Sequence, residues 1–287
     1  MLAWLAYATI ALVWGSTYFA IALGLDAYTA YGLVAWRFTL GAALALLLGR
    51  VFREPLPEKR DLPHIALVGV LLLSGSNALV SWAETRVSSG IAAILCALVP
   101  VGLAFFGRER LDTRAWAGLA LGLIGLAVLT DPLSAAVDLK GVGALLLAVT
   151  LWSFGTIHGK RHIRKGGLMT QVGLEMAAAA VVAHVAAPLT GGHQHAALTT
   201  KALLAMLYLA VFGSVIAFTA YMYLAKAWTP AKMGTYAYLN PIVAVVLGCV
   251  WLKEPFNARM SFGLLIILAS VALVQLRPAP RTMEDCA

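Results

Sequence analysis

The sequence predicts an all-α membrane protein, with ten transmembrane helices set out as two inverted five-helix repeats. Three observations predict it. Hydrophobic residues make up 61% of the 287 residues and charged residues only 12%, against about 45–50% and about 25% in soluble domains. Ten apolar stretches reach or approach the roughly 20 residues that a spanning helix needs. The second half of the chain also repeats landmarks of the first. A mean hydropathy of +0.87 fits the same class. Soluble enzymes, disordered tails and disulfide-stapled secreted domains are excluded, because water gives that much apolar surface nowhere to go.

The predicted spans are residues 2–25, 27–49, 65–83, 87–107, 115–130, 141–159, 168–187, 202–225, 233–252 and 260–276. The first has no charged residue. It starts at Met1 without a basic leader and exceeds the 7–15 apolar residues of a signal peptide, so it reads as a retained helix. The second carries Arg37, and the third holds Ser76, Asn77 and Ser81. Pro100 interrupts the fourth. The fifth presents Gly118, Gly122 and Gly125 on one face, which predicts close helix packing and no substrate role. Trp152 and Thr156 lie in the sixth, Glu175 in the seventh, and Ser214, Phe218 and Tyr221 in the eighth. The ninth runs through Tyr236, Tyr238, Asn240 and Pro241, and the tenth is short. Little chain is left outside the bilayer, so a large soluble catalytic domain has no room.

Net charge is +8. In a soluble protein that would raise nucleic acid as a partner. Here the basic residues punctuate apolar spans, which points to topology and anionic lipid headgroups instead. With the N-terminus in the cytoplasm, Arg50, Arg53, Lys59 and Arg60, then Arg108, Arg110 and Arg114, then Lys160, Arg161, Arg164 and Lys165 all fall inside. Lys226, Lys232, Arg277 and Arg281 join them, against Arg86, Lys140, Lys201, Lys253 and Arg259 outside. The bias predicts both termini in the cytoplasm. Cys96, Cys249 and Cys286 give no disulfide framework.

Trp14 recurs as Trp152, Arg37 as Glu175, Gly75 as Gly213 and Ser76 as Ser214. Pro100 recurs as Pro241, and Glu109, Arg114 and Gly118 as Glu254, Arg259 and Gly263. The order is kept along the chain, so the sequence reads as a duplication: a first repeat over 1–138, a second over 139–277 and a cytoplasmic tail over 278–287. Each copy has an odd number of spans, so the second starts on the opposite face. Two halves of opposite orientation around an in-plane axis are a carrier architecture.

Mid-span polar, aromatic and proline positions give the candidate site. Trp14 and Tyr18, four residues apart, share a helical face, and Trp152 and Thr156 match them in the second copy. Asn77 and Ser81 share another face, answered by Tyr221. Tyr236 and Asn240 precede Pro241. We expect these nine residues to bind substrate, with aromatic rings holding its apolar part and the asparagines its polar groups. Pro100 and Pro241 lack an N–H and clash with the carbonyl four residues back. They are expected to bend spans 4 and 9 as gates and to free the carbonyls of Cys96 and Ala237. Arg37 and Glu175 are the ionisable acid and base well inside spans, and a midplane charge needs a partner or water. Four readings stay open for them: proton coupling through Glu175, anchoring of gates, a structural ion pair, and a snorkelling arginine. His158 and His184 are further proton-carrier candidates, with His158 read as a solvated loop residue. Glu84 and Arg86 are read as a solvated turn or an ion pair at the outward mouth.

No phosphate loop, metal-ligand spacing or selectivity filter is present in the sequence, so no cofactor, metal, ATP hydrolysis or channel function is expected.

Trp14-Gly15-Ser16-Thr17, Arg37, the turn over 86–90, Pro100 and Arg108-Glu109-Arg110-Leu111 together resemble the drug/metabolite transporter superfamily, in its EamA-type branch of ten-helix carriers. Lys226, Pro241 and Lys253-Glu254-Pro255 repeat the pattern. The first copy departs from the second in the shorter interval between its proline and its Glu109. The resemblance implies an inner-membrane exporter of small metabolites, often amino acids, and a YddG-like subgroup exports aromatic ones. The expected function is therefore amino-acid export by alternating access, with a multidrug or cationic-compound exporter, for which Glu175 would be the acidic partner, as the alternative. The expected partners are a small-molecule substrate and the lipid bilayer, with no nucleic acid.

Overall fold

A computed structural model describes residues 1–87, 92, 95–130, 138–251 and 258–276. Among them the chain forms helices and turns, plus one isolated antiparallel bridge between Tyr28 and Gln194. The helices are α1 (Leu2–Leu25), α2 (Ala30–Val51), α3 (Leu62–Glu84), α4 (Val99–Gly107) and α5 (Thr113–Thr130). They continue as α6 (Leu139–His162), α7 (Leu168–Leu189), α8 (Thr200–Ala227), α9 (Tyr236–Trp251) and α10 (Ala258–Gln275). Seven of these, α1, α2, α3, α6, α7, α8 and α10, are long and apolar enough to cross a bilayer, and α5 contains a shorter apolar run. The Lys253-Glu254-Pro255 motif, most of the 86–90 turn and the 278–287 tail lie outside the described residues, as does the side chain of Cys249.

Several boundaries differ from the sequence expectation for local reasons. α2 begins at Ala30, not Ala27, because residues 27–29 pair with the loop before α8: His195 N–H donates to the Ala27 carbonyl and Thr29 N–H to that of His193. The Thr29 hydroxyl then caps Gly32 N–H. Pro100 does not bend a helix interior. It lies in the first turn of α4, where its missing N–H costs nothing. The break before α9 falls at Thr235, upstream of Pro241, after a single turn at Pro230–Gly234.

Two helices carry π-helical stretches, Gly69–Ser76 inside α3 and Leu209–Ile216 inside α8. They occupy corresponding places in the two halves, around Gly75-Ser76 and Gly213-Ser214. The wider turn leaves carbonyls to satisfy. The Asn77 amide donates to the Leu72 carbonyl at 2.9 Å, and the Ser214 hydroxyl to that of Leu209 at 2.9 Å.

Lipid gives no hydrophobic drive for helix association, so packing rests on small residues and interhelical hydrogen bonds. α2 packs on α7 and α5 on α10. α1 packs on α9 and α8, while α6 packs on α4 and α3; α3 meets α7 as α2 meets α8. Replacing each helix by the one five places along, cyclically, exchanges these named contacts among themselves. Gly118, Gly122 and Gly125 all face α10, as their spacing predicts, and Ser270 Oγ donates to the Gly118 carbonyl at 2.7 Å.

Two carboxylates tie the halves together at one end of the bundle. Arg53 and Arg108 both have left-handed backbones, at φ 51° and 53°, and each turns the chain so that the next residue faces a helix start. Glu54 accepts N–H bonds from Met169 and Thr170 at the start of α7. Glu109 accepts from Ala231 in the Pro230–Gly234 turn. An anion at a helix N-terminus meets orphan N–H groups and a favourable dipole.

Candidate functional site

A cavity opens between the halves. α1 contributes Trp14, Thr17 and Tyr18. α3 supplies Ser76 and Asn77, and α6 Trp152. Gly213, Ser214 and Phe218 come from α8, and Tyr236, Ala237 and Asn240 from α9. Arg37 and Phe38 reach it from α2.

Its aromatic wall is held in place by hydrogen bonds. Trp14 meets Trp152 edge-on, with ring centroids 5.4 Å apart, and Tyr236 at 5.1 Å. Trp14 Nε1 donates to the Gly213 carbonyl at 2.8 Å, inside the π-helical stretch of α8. Trp152 Nε1 donates to the Tyr221 hydroxyl at 2.7 Å, which also bonds Thr156 Oγ1 at 2.7 Å. Tyr221 and Thr156 therefore stand behind the wall and orient Trp152, without lining the cavity themselves. Ser81 is buried and likewise does not line it.

The polar side is built around Arg37. Its Nε donates to Ser214 Oγ at 2.7 Å and a terminal nitrogen to Asn77 Oδ1 at 3.4 Å, while the guanidinium carbon lies 5.0 Å from the Phe38 ring centroid. Among the described residues lining the cavity, Arg37 is a cation and no carboxylate is present. Asn240 also lines the cavity, with Oδ1 buried and without a hydrogen-bond partner among the described residues. Glu84 lies near Tyr18 and Cys96, its Oε1 also buried and unpartnered.

The EamA-like transporter family matches residues 1–131 and again residues 139–276. The chain belongs to that family. It is 37% identical over 270 residues to YedA, an uncharacterised inner membrane transporter of Escherichia coli strain K12, covering 92% of this chain and 88% of that protein. It is 31% identical over 281 residues to a Streptantibioticus cattleyicolor protein named "Probable terminal-alkyne amino-acid exporter", covering 94% and 92%. A crystal structure 20% identical in sequence shares the fold at a TM-score of 0.78, with 96% of each chain covered. This EamA-like protein is an integral, multi-pass membrane transporter.

The remaining sequence candidates take other places in the EamA-like fold. Cys96 and Ala237, the residues four before Pro100 and Pro241, both line the cavity, although neither proline does. Arg37 and Glu175 do not form a mutual ion pair. Their helices pack together, but Arg37 turns toward α8 and α3, whereas Glu175 turns toward Gln171, whose Nε2 donates to Oε1 at 2.8 Å. Gln171 accepts in turn from Lys226 Nζ at 3.0 Å, and Glu175 Oε2 is buried and unpartnered. Arg86 pairs with Asp138 at 3.3 Å rather than with Glu84. His158 is half-buried against His64, not a solvated loop residue. Sequence reasoning missed Thr235, buried at the break before α9 and bonded to Tyr7 and Gln275 at 2.7 Å each. The Gly234-Thr235 step after Pro230 is the signal that pointed there. Thr17, noted in the sequence only as part of the Trp14-Gly15-Ser16-Thr17 motif, also lines the cavity.

Proposed function

We propose that this transporter exports a small zwitterion, an amino acid with an apolar or aromatic side chain, across the inner membrane by alternating access. One observation carries the reading: Arg37 is buried, lines an aromatic cavity, and among the described residues has only neutral partners. An unpaired buried cation is costly, and a substrate carboxylate would meet it in bidentate geometry. Asn240 Oδ1 would accept from the ammonium group, and the Trp14, Trp152 and Tyr236 rings would hold the side chain. Tyr18 and Asn77 complete this proposed substrate shell, with Ser81, Thr156 and Tyr221 supporting it from behind. The amino-acid exporter named among the relatives favours the same substrate class.

The architecture we propose is ten spans in two inverted repeats, 1–138 and 139–277, with both termini in the cytoplasm. Its support is the family's double match, the exchange of helix contacts between halves, the paired π-helical stretches and the distribution of basic residues. An exchangeable pair of walls around a shared cavity is the mechanical basis of alternating access. Pro100 and Pro241, close to the breaks before α4 and α9, would let the gates swing. Glu175, reached from Lys226 through Gln171, would carry the coupling proton.

The alternative, export of a cationic compound, draws on Glu84, a carboxylate with a buried oxygen that no donor meets among the described residues. Arg37 inside the cavity opposes it by like-charge repulsion. Counterflow in proteoliposomes separates the two. Saturable exchange of aromatic or aliphatic amino acids, without exchange of lipophilic cations, is the expected result. Exchange of the cations alone overturns the amino-acid reading.

A further inference from the structure

Away from the cavity, three histidines meet where α3 starts and α6 ends. His64 lies in the first turn of α3. His158 and His162 lie one turn apart on a single face of α6. A ligand nitrogen from each lies within 4.8 Å of the other two. His64 Nδ1 and His158 Nε2 stand 3.0 Å apart, and the His158 and His162 rings stack at 4.2 Å.

We propose that His64, His158 and His162 form a binding site for a divalent transition-metal ion of the Zn2+ class, clamping the start of α3 to the end of α6. Three imidazoles with a fourth position open to water suit such an ion. An ion about 2.0–2.1 Å from each nitrogen sets them about 3.3–3.4 Å apart. The His64–His158 pair already stands near that spacing, and the exposed His162 has room to close.

The surroundings pre-set the ligands. His162 Nδ1 faces the His158 carbonyl at 2.9 Å, which leaves Nε2 for a metal. That is the outer-shell arrangement that fixes ring tautomer and orientation in metal sites. The nearest cations on α6 point elsewhere: Lys160 Nζ bonds the Trp228 carbonyl and Arg161 the Phe106 carbonyl. The segments flanking the site are already strapped together. Asp61 accepts the N–H groups of Arg164 and Lys165, and Glu58 pairs with Lys165 at 2.8 Å. The backbone positions are therefore set before an ion arrives.

The test uses the full-length protein, purified in detergent without a histidine tag and titrated with Co2+, then with Zn2+. The expected result is one equivalent of Co2+ per chain with visible d–d absorption, displaced by Zn2+, and a Zn2+-dependent rise in Tm. His162→Gln, an exposed position that the fold tolerates, and His64→Gln should each weaken binding at least tenfold and abolish the rise. His193→Gln, in the separate His184–His193 pair, should leave both unchanged. Absence of saturable binding overturns the proposal. So does binding that survives in the His64→Gln/His162→Gln double variant.

Discussion

Arg37 Nε donates to Ser214 Oγ at 2.7 Å while that hydroxyl gives its own proton to the Leu209 carbonyl. One serine thus steadies a π-helical turn and turns an oxygen toward the guanidinium. Asn77 does the same from α3: its amide nitrogen satisfies the Leu72 carbonyl and its oxygen faces Arg37. The two π-helical stretches, one in each half, together aim a buried cation into the cavity.

That arrangement separates a binding role for Arg37 from a structural one. Removing a buried charge that has only neutral partners removes its desolvation cost as well, which offsets the hydrogen bonds lost at Ser214 and Asn77. Arg37→Met is expected to keep or raise Tm. Hydrogen bonds to charged groups are worth about 1.5–3 kcal/mol, so apparent substrate affinity should fall roughly ten- to a hundredfold. Melts in detergent and counterflow in proteoliposomes check both. A variant that unfolds would assign Arg37 to structure instead.

The aromatic wall makes a prediction of selectivity. Trp152 lines the cavity edge-on to Trp14, and Tyr221 orients it from behind. Aromatic contacts add about 0.5–1.5 kcal/mol beyond area burial. Trp152→Leu should therefore weaken aromatic substrates about three- to tenfold relative to aliphatic ones. Tyr221→Phe, which removes only the orienting hydroxyl, should move the same ratio in the same direction by less. Competition counterflow between phenylalanine and leucine reads the ratio directly.

Seven of the spans and the meeting of Trp14 with Trp152 were legible in the sequence, because apolar length and residue spacing are chain-local. What Arg37 and Glu175 touch was not. Their repeat equivalence and opposite sign suggested a pair, but side-chain direction depends on helix rotation, and rotation is set by neighbours such as Gly69 and Gly41. Pro100 misled for a related reason. A proline marks a weak point in a helix, yet whether it starts the helix, as Pro100 does, or lies within it, as Pro241 does, depends on where the preceding turn ends. Thr235 meets Tyr7 and Gln275, and the adjacent-turn pair His158 and His162 meets His64; these partners are far apart in sequence, which no periodicity reports.

Gly69 tests the packing. A Cβ built there would fall 2.0 Å from the Glu175 carbonyl oxygen, whereas one at Gly143 would meet nothing within 4 Å. Backbone cannot swing aside as a side chain can, so Gly69→Ala must push α3 off α7. Overpacking typically costs about 1–3 kcal/mol. Gly69→Ala is expected to lower Tm by several degrees. Gly143→Ala is expected to be neutral or to gain about 0.5–1 kcal/mol of helix propensity. Equal melts for the two would show that the α3–α7 contact is looser than described.

Asp138 gives a pH signature outside the membrane. The Gly141 and Lys140 N–H groups, with Arg86 alongside, hold its carboxyl below the usual carboxylate range. A depressed folded pKa contributes stability above the unfolded value, and that contribution is lost as pH falls through the folded one. Asp138→Asn keeps a good N-cap but removes the charge. The wild type should therefore melt higher than Asp138→Asn at neutral pH. The gap should close as pH drops below about 4, the ordinary carboxylate value. A gap that widens in acid would contradict the assignment.

Glu175 tests the proposed coupling. Its Oε2 is buried without a donor, and the Gln171–Lys226 chain links its other oxygen toward the end of the bundle that carries Glu54. A proton on Oε2 would travel with the conformational change only if the carboxyl is neutral in one state and ionised in another. Glu175→Gln fixes the neutral form. Exchange of substrate across the membrane needs no net proton movement, so counterflow should persist within a fewfold of wild type. Accumulation driven by a pH gradient should be abolished. Loss of both activities together would make Glu175 a structural residue. Retention of gradient-driven accumulation would place the proton on another group, with His184, bonded to Thr39 and His193, as the first to substitute.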